Sequence, residues 1–210
     1  MTLSEKIATT LLQIKAIKLQ PQHPFTWASG WLSPIYCDNR LTLSFPEVRT
    51  LLADSLCSLI RDRFSGIDGT IAAVATGAIP HGTLVADRLG WPLVYVRSAP
   101  KGHGLGNRVE GQLDASRPVI VVEDLVSTGK SSLEAVDALR QAGANVAGMV
   151  SIFTYGFSHA QQAFDKSACS LFPLTDYETV LRLAVKDGSI DENILRVLQN
   201  WRTSPETWKP

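Results

Sequence analysis

The sequence is short of cysteine, of long apolar runs and of excess charge of either sign. Its three cysteines, Cys37, Cys57 and Cys169, are scattered without the spacing of a metal site. We therefore expect reduced thiols in a cytoplasmic protein. No apolar stretch approaches the ~20 residues of a membrane span, and the first residues lack the layout of a secretory signal. These absences argue against a membrane or secreted protein.

The balance of charges excludes a second group of functions. Lys and Arg together number 20, as do Asp and Glu, so the formal net charge is zero. No basic run indicates a nucleic-acid surface, and we expect no nucleic-acid partner. The chain has 210 residues, of which 45% are hydrophobic. This length and composition suit one globular domain.

The most informative stretch begins with the β-branched run 119–122, which predicts a fully buried strand. Glu123 and Asp124 end this strand, and a short turn then leads into a helical pattern. Ligands of open α/β sheets bind at the carboxyl ends of the strands. A turn that feeds a helix N-terminus offers backbone N–H groups to an anion. The stretch therefore predicts a site that binds phosphate beside two carboxylates.

Two other interpretations of this stretch are available. Residues 129–131 spell the end of a nucleotide-binding P-loop, but position 124 holds Asp where that motif needs glycine. The stretch could also be an ordinary crossover with a capped helix. Adjacent acids at the end of a buried strand carry a desolvation cost, which argues against a purely structural role.

The acidic pair followed by Ser127, Thr128 and Gly129 resembles the signature of the type I phosphoribosyltransferases, which bind 5-phosphoribosyl 1-pyrophosphate (PRPP). The resemblance implies that Glu123 and Asp124 hold the ribose hydroxyls. It also implies Mg²⁺ bound through PRPP, with a possible water-mediated link to Asp124 and no direct protein ligand. The 5′-phosphate is then held by the following residues: Leu125, Val126, Ser127, Thr128, Gly129, Lys130 and Ser131.

Strand and helix patterns alternate along the chain, so we expect an α/β fold with a mainly parallel central sheet flanked by helices. In the family that it resembles, a small subdomain called the hood covers such a sheet. We assign residues 1–44 and 170–210 to the hood. Residues 45–169 form the core, and residues 98–111 form a mobile loop.

The segment 25–34 narrows the resemblance to orotate phosphoribosyltransferases, because Phe-Thr-x-x-Ser-Gly-x-x-Ser-Pro is typical of their hood. The resemblance implies that orotate lies near Phe25 or Tyr36 and near Ser127. Packing in a small satellite core is the alternative role of these aromatic rings. The chain has Ala28 and Trp31 where many members have a lysine and an arginine.

The loop 98–111 contains four glycines and one proline, so it has little to pack. Lys101 and His103 match the Lys-x-His-Gly-x-Gly pattern of the loop that closes over the family's active site, often that of a partner subunit. The resemblance implies a homodimer, with Arg97, Lys101 and His103 binding the pyrophosphate. Lys101, His103 and Asp124 are then the catalytic residues. Ser98 replaces a second lysine.

Two further positions leave the assignment open. The resemblance implies that the segment 77–82 is a pyrophosphate-binding loop, with His81 at the position of a lysine in the family. A surface histidine at a helix start fits equally well. No arginine occurs between Ser151 and Lys166, where many members bind the carboxylate of orotate near the position of Tyr155.

The resemblance thus implies transfer of ribose 5-phosphate from PRPP to orotate in pyrimidine (UMP) synthesis. The alternatives are another base as acceptor, as in purine salvage, and a PRPP-sensing regulator that binds nucleic acid. An α/β protein with only a structural role would have no affinity for PRPP.

Overall fold

The computed structural model describes residues 1–27, 29–98 and 108–210. The helices within these ranges are α1 (Leu3–Gln13), α2 (Pro46–Arg63), α3 (Ile79–Leu89), α4 (Lys130–Gln141), α5 (Ser158–Lys166), α6 (Tyr177–Lys186) and α7 (Glu192–Thr203), with a 3₁₀ helix at Asn39–Ser44. The strands are β1 (Ile17–Leu19), β2 (Phe25–Thr26), β3 (Leu32–Ser33), β4 (Ile35–Cys37), β5 (Thr70–Val74), β6 (Leu93–Val96), β7 (Val109–Glu110), β8 (Val119–Val126), β9 (Val146–Thr154) and β10 (Leu171–Asp176).

Six strands form the central sheet in the order β10-β9-β8-β5-β6-β7. The first five are parallel to their neighbours, and β7 pairs with β6 in the antiparallel direction. This confirms the prediction of a mainly parallel α/β sheet. Because parallel strands end at the same edge, the residues that follow β5, β6, β8 and β9 are brought together there.

The sheet separates two hydrophobic cores. Every residue of the run 119–122 is fully buried, as expected for a strand with helices over both faces. One core contains residues of α1, α2, α3, α6 and α7, and the other contains residues of α4 and α5. The site at the strand ends therefore rests on a sheet that is packed on both sides.

Two short antiparallel strand pairs, β1 with β4 and β2 with β3, lie outside the sheet. The hairpin β2–β3 turns at Gly30, whose φ of 85° is the left-handed conformation that glycine favours. The predicted hood boundary at residue 170 needs a correction. Strand β10 pairs with β9 in the central sheet, so residues 171–176 belong to the core.

The segment 77–82 is not a continuous loop. Helix α3 begins at Ile79, with Pro80 in its first turn, where a missing N–H costs nothing. The three cysteines are free and buried. Of the helices that the structure describes, none has both the length and the apolar character needed to cross a bilayer.

Candidate active site

The acidic pair lies within the last half of β8, which extends to Val126 and is longer than the apolar run alone predicts. Glu123 is only 4% exposed, whereas Asp124 is half-buried. The two neighbours differ because successive side chains of a strand point to opposite faces. Asp124 is therefore the more accessible carboxylate of the pair.

Glu123 is fixed by two hydrogen bonds. Ser132 Oγ, in the first turn of α4, donates to Glu123 Oε2 at 2.8 Å, and the backbone N–H of Asp124 donates to Oε1 at 3.1 Å. Burial, together with the adjacent charge of Asp124, raises the pKa of Glu123 well above its ordinary value. The side chain ties the end of β8 to the start of α4.

Asp124 is held from the hood side and faces the end of β5. Asn39 Nδ2 donates to the backbone carbonyl of Asp124 at 2.5 Å. A Cβ at Gly77 would clash with the Asp124 carboxylate, so the backbone after β5 can approach only because residue 77 is glycine. The peptide bond between Ala75 and Thr76 in this segment is cis.

The end of β8 and the turn into α4, residues 125–131, form a concave surface that we call the cup. Gly129 has a φ of 78° and immediately precedes α4, and a Cβ there would lie 2.9 Å from the ring of Phe164. The first N–H groups of a helix have no intrahelical acceptor, so the start of α4 offers them to a ligand. Ser127, Thr128 and Ser131 add hydroxyl groups to the same cup.

One cavity of about 600 Å³ connects these groups, a size typical of small-molecule sites. Its wall is formed by the strand ends, the cup and the hood. The described residues that line it are Thr26, Trp27, Ser29, Trp31, Tyr36, Cys37, Asp38, Arg40, Val74, Ala75, Thr76, Gly77, Glu123, Asp124, Leu125, Ser127, Thr128, Ser131 and Tyr155.

The structure brings together most of the predicted phosphate-binding residues, but not all of them reach the cavity. Leu125, Ser127, Thr128 and Ser131 line it. Val126 is fully buried, and Gly129 and Lys130 lie outside the described lining. Their backbones shape the turn, while the side chain of Lys130 is exposed.

The hood covers the opposite wall with aromatic rings. Trp27 lies with its ring centroid 5.0 Å from Tyr155 and 5.5 Å from Trp201. Tyr155 is 1% exposed, and burial raises the pKa of its phenol well above the ordinary value. Tyr36 lines the cavity as expected, whereas Phe25 packs on Tyr36 at 5.3 Å and lies outside the described lining.

Sequence reasoning missed Asn39, Arg40 and Ser132. The signal for the first two was a polar run directly after a short strand, Asp38-Asn39-Arg40, which lies far from the acidic pair in sequence. The signal for Ser132 was its place one helical turn beyond the glycine. None of these residues belongs to a motif that its neighbours alone identify.

Arg97 follows β6 and lies at the base of the predicted mobile loop. Its Nη1 lies 3.4 Å from Glu110 Oε1 in an ion pair. Its backbone N–H donates to the carbonyl of Arg108 at 2.9 Å, and Arg108 Nε donates to the carbonyl of Arg97 at 3.0 Å. Arg97 is not among the described residues that line the cavity, and Lys101 and His103 lie outside the described residues.

His81 is neither a surface residue nor part of the described lining. It is 1% exposed in the first turn of α3. Burial lowers its pKa, and the nearby charge of Asp124 opposes that effect. The interpretation as a surface histidine is therefore wrong, because residue 81 lies within α3 on the side of the helix that packs against the core.

Within the described residues no group of three or more His, Cys, Asp or Glu side chains could hold a metal ion. The oxygen donors nearest to the cavity are the carboxylates of the acidic pair and the hydroxyls of the cup. Such a donor set is compatible with a hard cation that keeps most of its water and binds mainly through a ligand's phosphates.

The fold and this site define a class of protein. Residues 46–182 match the family described as the phosphoribosyl transferase domain, which covers more than half of the chain. An orotate phosphoribosyltransferase from Porphyromonas gingivalis is 53% identical over 207 residues, which is 99% of this chain and 98% of that protein. The enzyme of the same name from Bacillus subtilis is 50% identical over 205 residues, or 98% and 94% of the two chains.

The structure of an orotate phosphoribosyltransferase from Aeropyrum pernix is similar to this one. Its TM-score is 0.72 at 26% identity, over 88% of this chain and 99% of that chain. The identities and coverage of these relatives show that the chain belongs to the orotate phosphoribosyltransferase family.

Proposed function

We propose that the protein transfers ribose 5-phosphate from PRPP to a ring nitrogen of orotate. The products are orotidine 5′-monophosphate and pyrophosphate, and the reaction is a step of pyrimidine synthesis. One observation carries the proposal: an acid-bearing strand end opens into an amide-rich cup beneath an aromatic wall, all in one cavity. Family membership and the names of the relatives support the same activity.

The residues of β8 and the cup position the sugar phosphate. Asp124, and Glu123 behind it, accept hydrogen bonds from the ribose hydroxyls. The backbone N–H groups and hydroxyls of residues 125–131 donate to the 5′-phosphate. The Ser132 bond to Glu123 keeps the acid and the cup in a fixed relation. Such preorganisation lowers the entropy cost of aligning the two reactants in the reaction step.

Positive charge must be supplied where pyrophosphate departs. The bonding electrons leave with the pyrophosphate oxygen, so negative charge builds up there while C1′ acquires oxocarbenium character. Arg97, Lys101 and His103 take this role, the last two from the predicted mobile loop. Donors aimed at the leaving group stabilise the transition state more than the ground state. We propose that the loop completes the site of a partner subunit in a homodimer.

The donor set fits Mg²⁺ bound mainly through the phosphates of PRPP, and Asp124 would hold it through the ion's water shell. When bound, the ion would neutralise negative charge on the departing pyrophosphate. Asp124 positions the ribose whether or not it also contacts the ion's water shell. Orotate lies between Tyr36 of the hood and Ser127. The hood excludes water that would otherwise react with the oxocarbenium ion at C1′. A cytoplasmic location stays a prediction.

The test mixes protein, Mg²⁺ and PRPP with orotate, adenine, guanine or uracil in turn. We expect loss of orotate absorbance with equimolar release of pyrophosphate, and little turnover of the purines. Turnover of a purine alone would replace orotate as the acceptor. PRPP binding without any turnover, together with a gel shift on nucleic acid at low salt, would support a regulator instead.

A further inference from the structure

Orotate carries a carboxylate on its ring, and an anion that is removed from water needs hydrogen-bond donors, of which charged donors bind it most strongly. The segment around Tyr155 contains no arginine or lysine between Ser151 and Lys166. Arg202 lies close to this segment at Gly156, but it is outside the described lining of the cavity. Tyr155 itself carries no positive charge, and aromatic rings enclose it. A charged partner for the carboxylate must therefore come from elsewhere in the cavity wall.

Arg40 is the one cation among the described residues that line the cavity. Its guanidinium is held along one edge by Asp38, since Nε donates to Oδ1 at 2.7 Å and Nη2 donates to Oδ2 at 2.9 Å. The backbone N–H of Arg40 also donates to Asp38 Oδ1 at 3.1 Å. The side chain of Arg40 is 64% exposed.

This arrangement leaves a second edge of the guanidinium for a ligand. An arginine has five N–H donors in a planar fork, and the pair with Asp38 occupies two of them. A second carboxylate can bind the Nη1–Nη2 edge in the bidentate geometry that arginine favours. Asp38 fixes the plane of the fork, so less side-chain entropy is lost when the ligand binds.

The position of Arg40 fits the base and not the pyrophosphate. Its neighbour Asn39 is anchored to the carbonyl of Asp124 at the end of β8. Arg97 follows β6, and β5 lies between these two strands. With neighbouring strands about 4.8 Å apart, the strands that anchor the two arginines lie about 10 Å from each other. In the proposed function, Arg97 at the β6 end serves the pyrophosphate instead.

We propose that Arg40, oriented by Asp38, binds the carboxylate of orotate and makes the cavity select orotate over uracil. The inference rests on the proposed function and assigns to it the residue that distinguishes the acceptor. Arg40 contacts the substrate but takes no part in breaking the bond to pyrophosphate.

The experiment compares Arg40→Gln and Arg40→Lys with the wild type in steady-state kinetics on orotate and on uracil. Loss of a charge-assisted bidentate contact should raise the KM for orotate about 10- to 100-fold. The KM for PRPP should change less than about threefold, and the ratio of orotate to uracil turnover should fall. Arg40→Lys keeps the charge but not the fork, so it should recover only part of the loss.

Arg61→Gln is the matched control, because Arg61 is exposed on α2 and outside the described lining of the cavity. The thermal midpoint of each variant shows that it is folded. An unchanged orotate KM in a folded Arg40→Gln variant overturns the inference, and so does an increase confined to the KM for PRPP. Absence of orotate turnover by the wild type would instead reject the proposed function.

Discussion

The two ends of the cavity differ in how the chain builds them. The end that we propose binds the phosphate, called here the phosphate end, comes from one continuous run, residues 119–141. Its tie between Glu123 and Ser132 joins residues nine positions apart. The end that we propose binds the base, called here the base end, is assembled from separate segments, since Trp27, Tyr155 and Trp201 meet across more than a hundred residues. The cup can therefore be encoded locally, whereas the aromatic wall depends on tertiary packing.

The substitution Asp124→Asn is the strongest test of the phosphate end. We expect kcat/KM to fall about 100- to 1,000-fold, because a carboxylate that accepts from the ribose becomes a neutral amide at the reacting sugar. Steady-state kinetics with both substrates varied would measure it. Asp137→Asn on the exposed side of α4 is the matched control. Equal activity of the two variants would contradict the role of Asp124.

The sequence predicts this local end because its signals are short-range. A β-branched run, two acids, small hydroxyl residues and a glycine follow one another, and they fix strand, cup and helix together. The parallel sheet follows from the same alternation. The position of Asn39 against Asp124 could not be predicted, because that contact joins residues 85 positions apart and depends on how the hood packs.

The aromatic wall at the base end also has features that could not be predicted from the sequence. Phe25 and Tyr36 are both plausible partners of a base in sequence, yet Tyr36 lines the cavity while Phe25 packs on it. Only the antiparallel pairing of β2–β3 and β1–β4 decides which ring faces inward. The sequence likewise predicts a loop at 77–82, although α3 has already begun at Ile79, because Pro80 can begin a helix as well as interrupt one.

The second prediction concerns the residues outside the described part of the chain. Lys101→Ala should lower kcat about 100-fold while the Kd for PRPP changes much less, because the lysine acts on the leaving group in the transition state. Single-turnover kinetics and direct titration of PRPP separate the two effects. Lys186→Ala, on α6, is the control. A weaker PRPP affinity with unchanged kcat would remove the proposed transition-state role.

Mixing the variants Lys101→Ala and Asp124→Asn tests whether the loop acts across a dimer. Random exchange of subunits makes half of the dimers mixed, and each mixed dimer has one intact site if the loop reaches its partner. Activity should then recover to about a quarter of the wild-type value. Subunit exchange that is verified by mass but recovers no activity would place the loop over its own subunit's site.

The third prediction tests whether the buried carboxyl of Glu123, at the phosphate end, lowers the stability of the fold while it supports activity. Glu123→Gln should lower kcat/KM about tenfold, because one end of the amide is a donor and can no longer accept the hydrogen bond from Ser132 that holds β8 against α4. It should also raise the free energy of unfolding at neutral pH, because the pKa of Glu123 is raised in the folded state. Ionisation of the wild-type carboxyl then destabilises the fold by about 1.4 kcal/mol for each pH unit that separates its folded-state and unfolded-state pKa values.

The sign of this effect fixes its pH dependence. Below the ordinary pKa of glutamate both states of the wild type are protonated, and the penalty is absent. It develops as the pH rises through that value and levels off above the raised folded-state pKa. Urea unfolding of both proteins between pH 4 and pH 8 measures the difference. Glu134→Gln on α4 is the control, and a stability gap that does not grow with pH would contradict the assignment.

The smallest effect on activity is expected at the base end. There, Trp201→Phe removes one hydrogen bond between α7 and strand β3 of the hood. Trp201 is fully buried, and its Nε1 donates to the carbonyl of Leu32 at 3.0 Å. Leaving that carbonyl without its donor should lower the free energy of unfolding by about 1–3 kcal/mol. The KM for orotate should rise about two- to fivefold, which corresponds to less than about 1 kcal/mol.

The Kd for PRPP should stay within a factor of about two of the wild-type value, because the cup is built without any contribution from α7. Trp208→Phe, at a partly buried position outside the described lining, controls for the loss of an indole. Denaturant unfolding and titrations with each substrate provide the measurements. If PRPP affinity fell as much as orotate affinity, the phosphate end would depend on tertiary packing as strongly as the base end does.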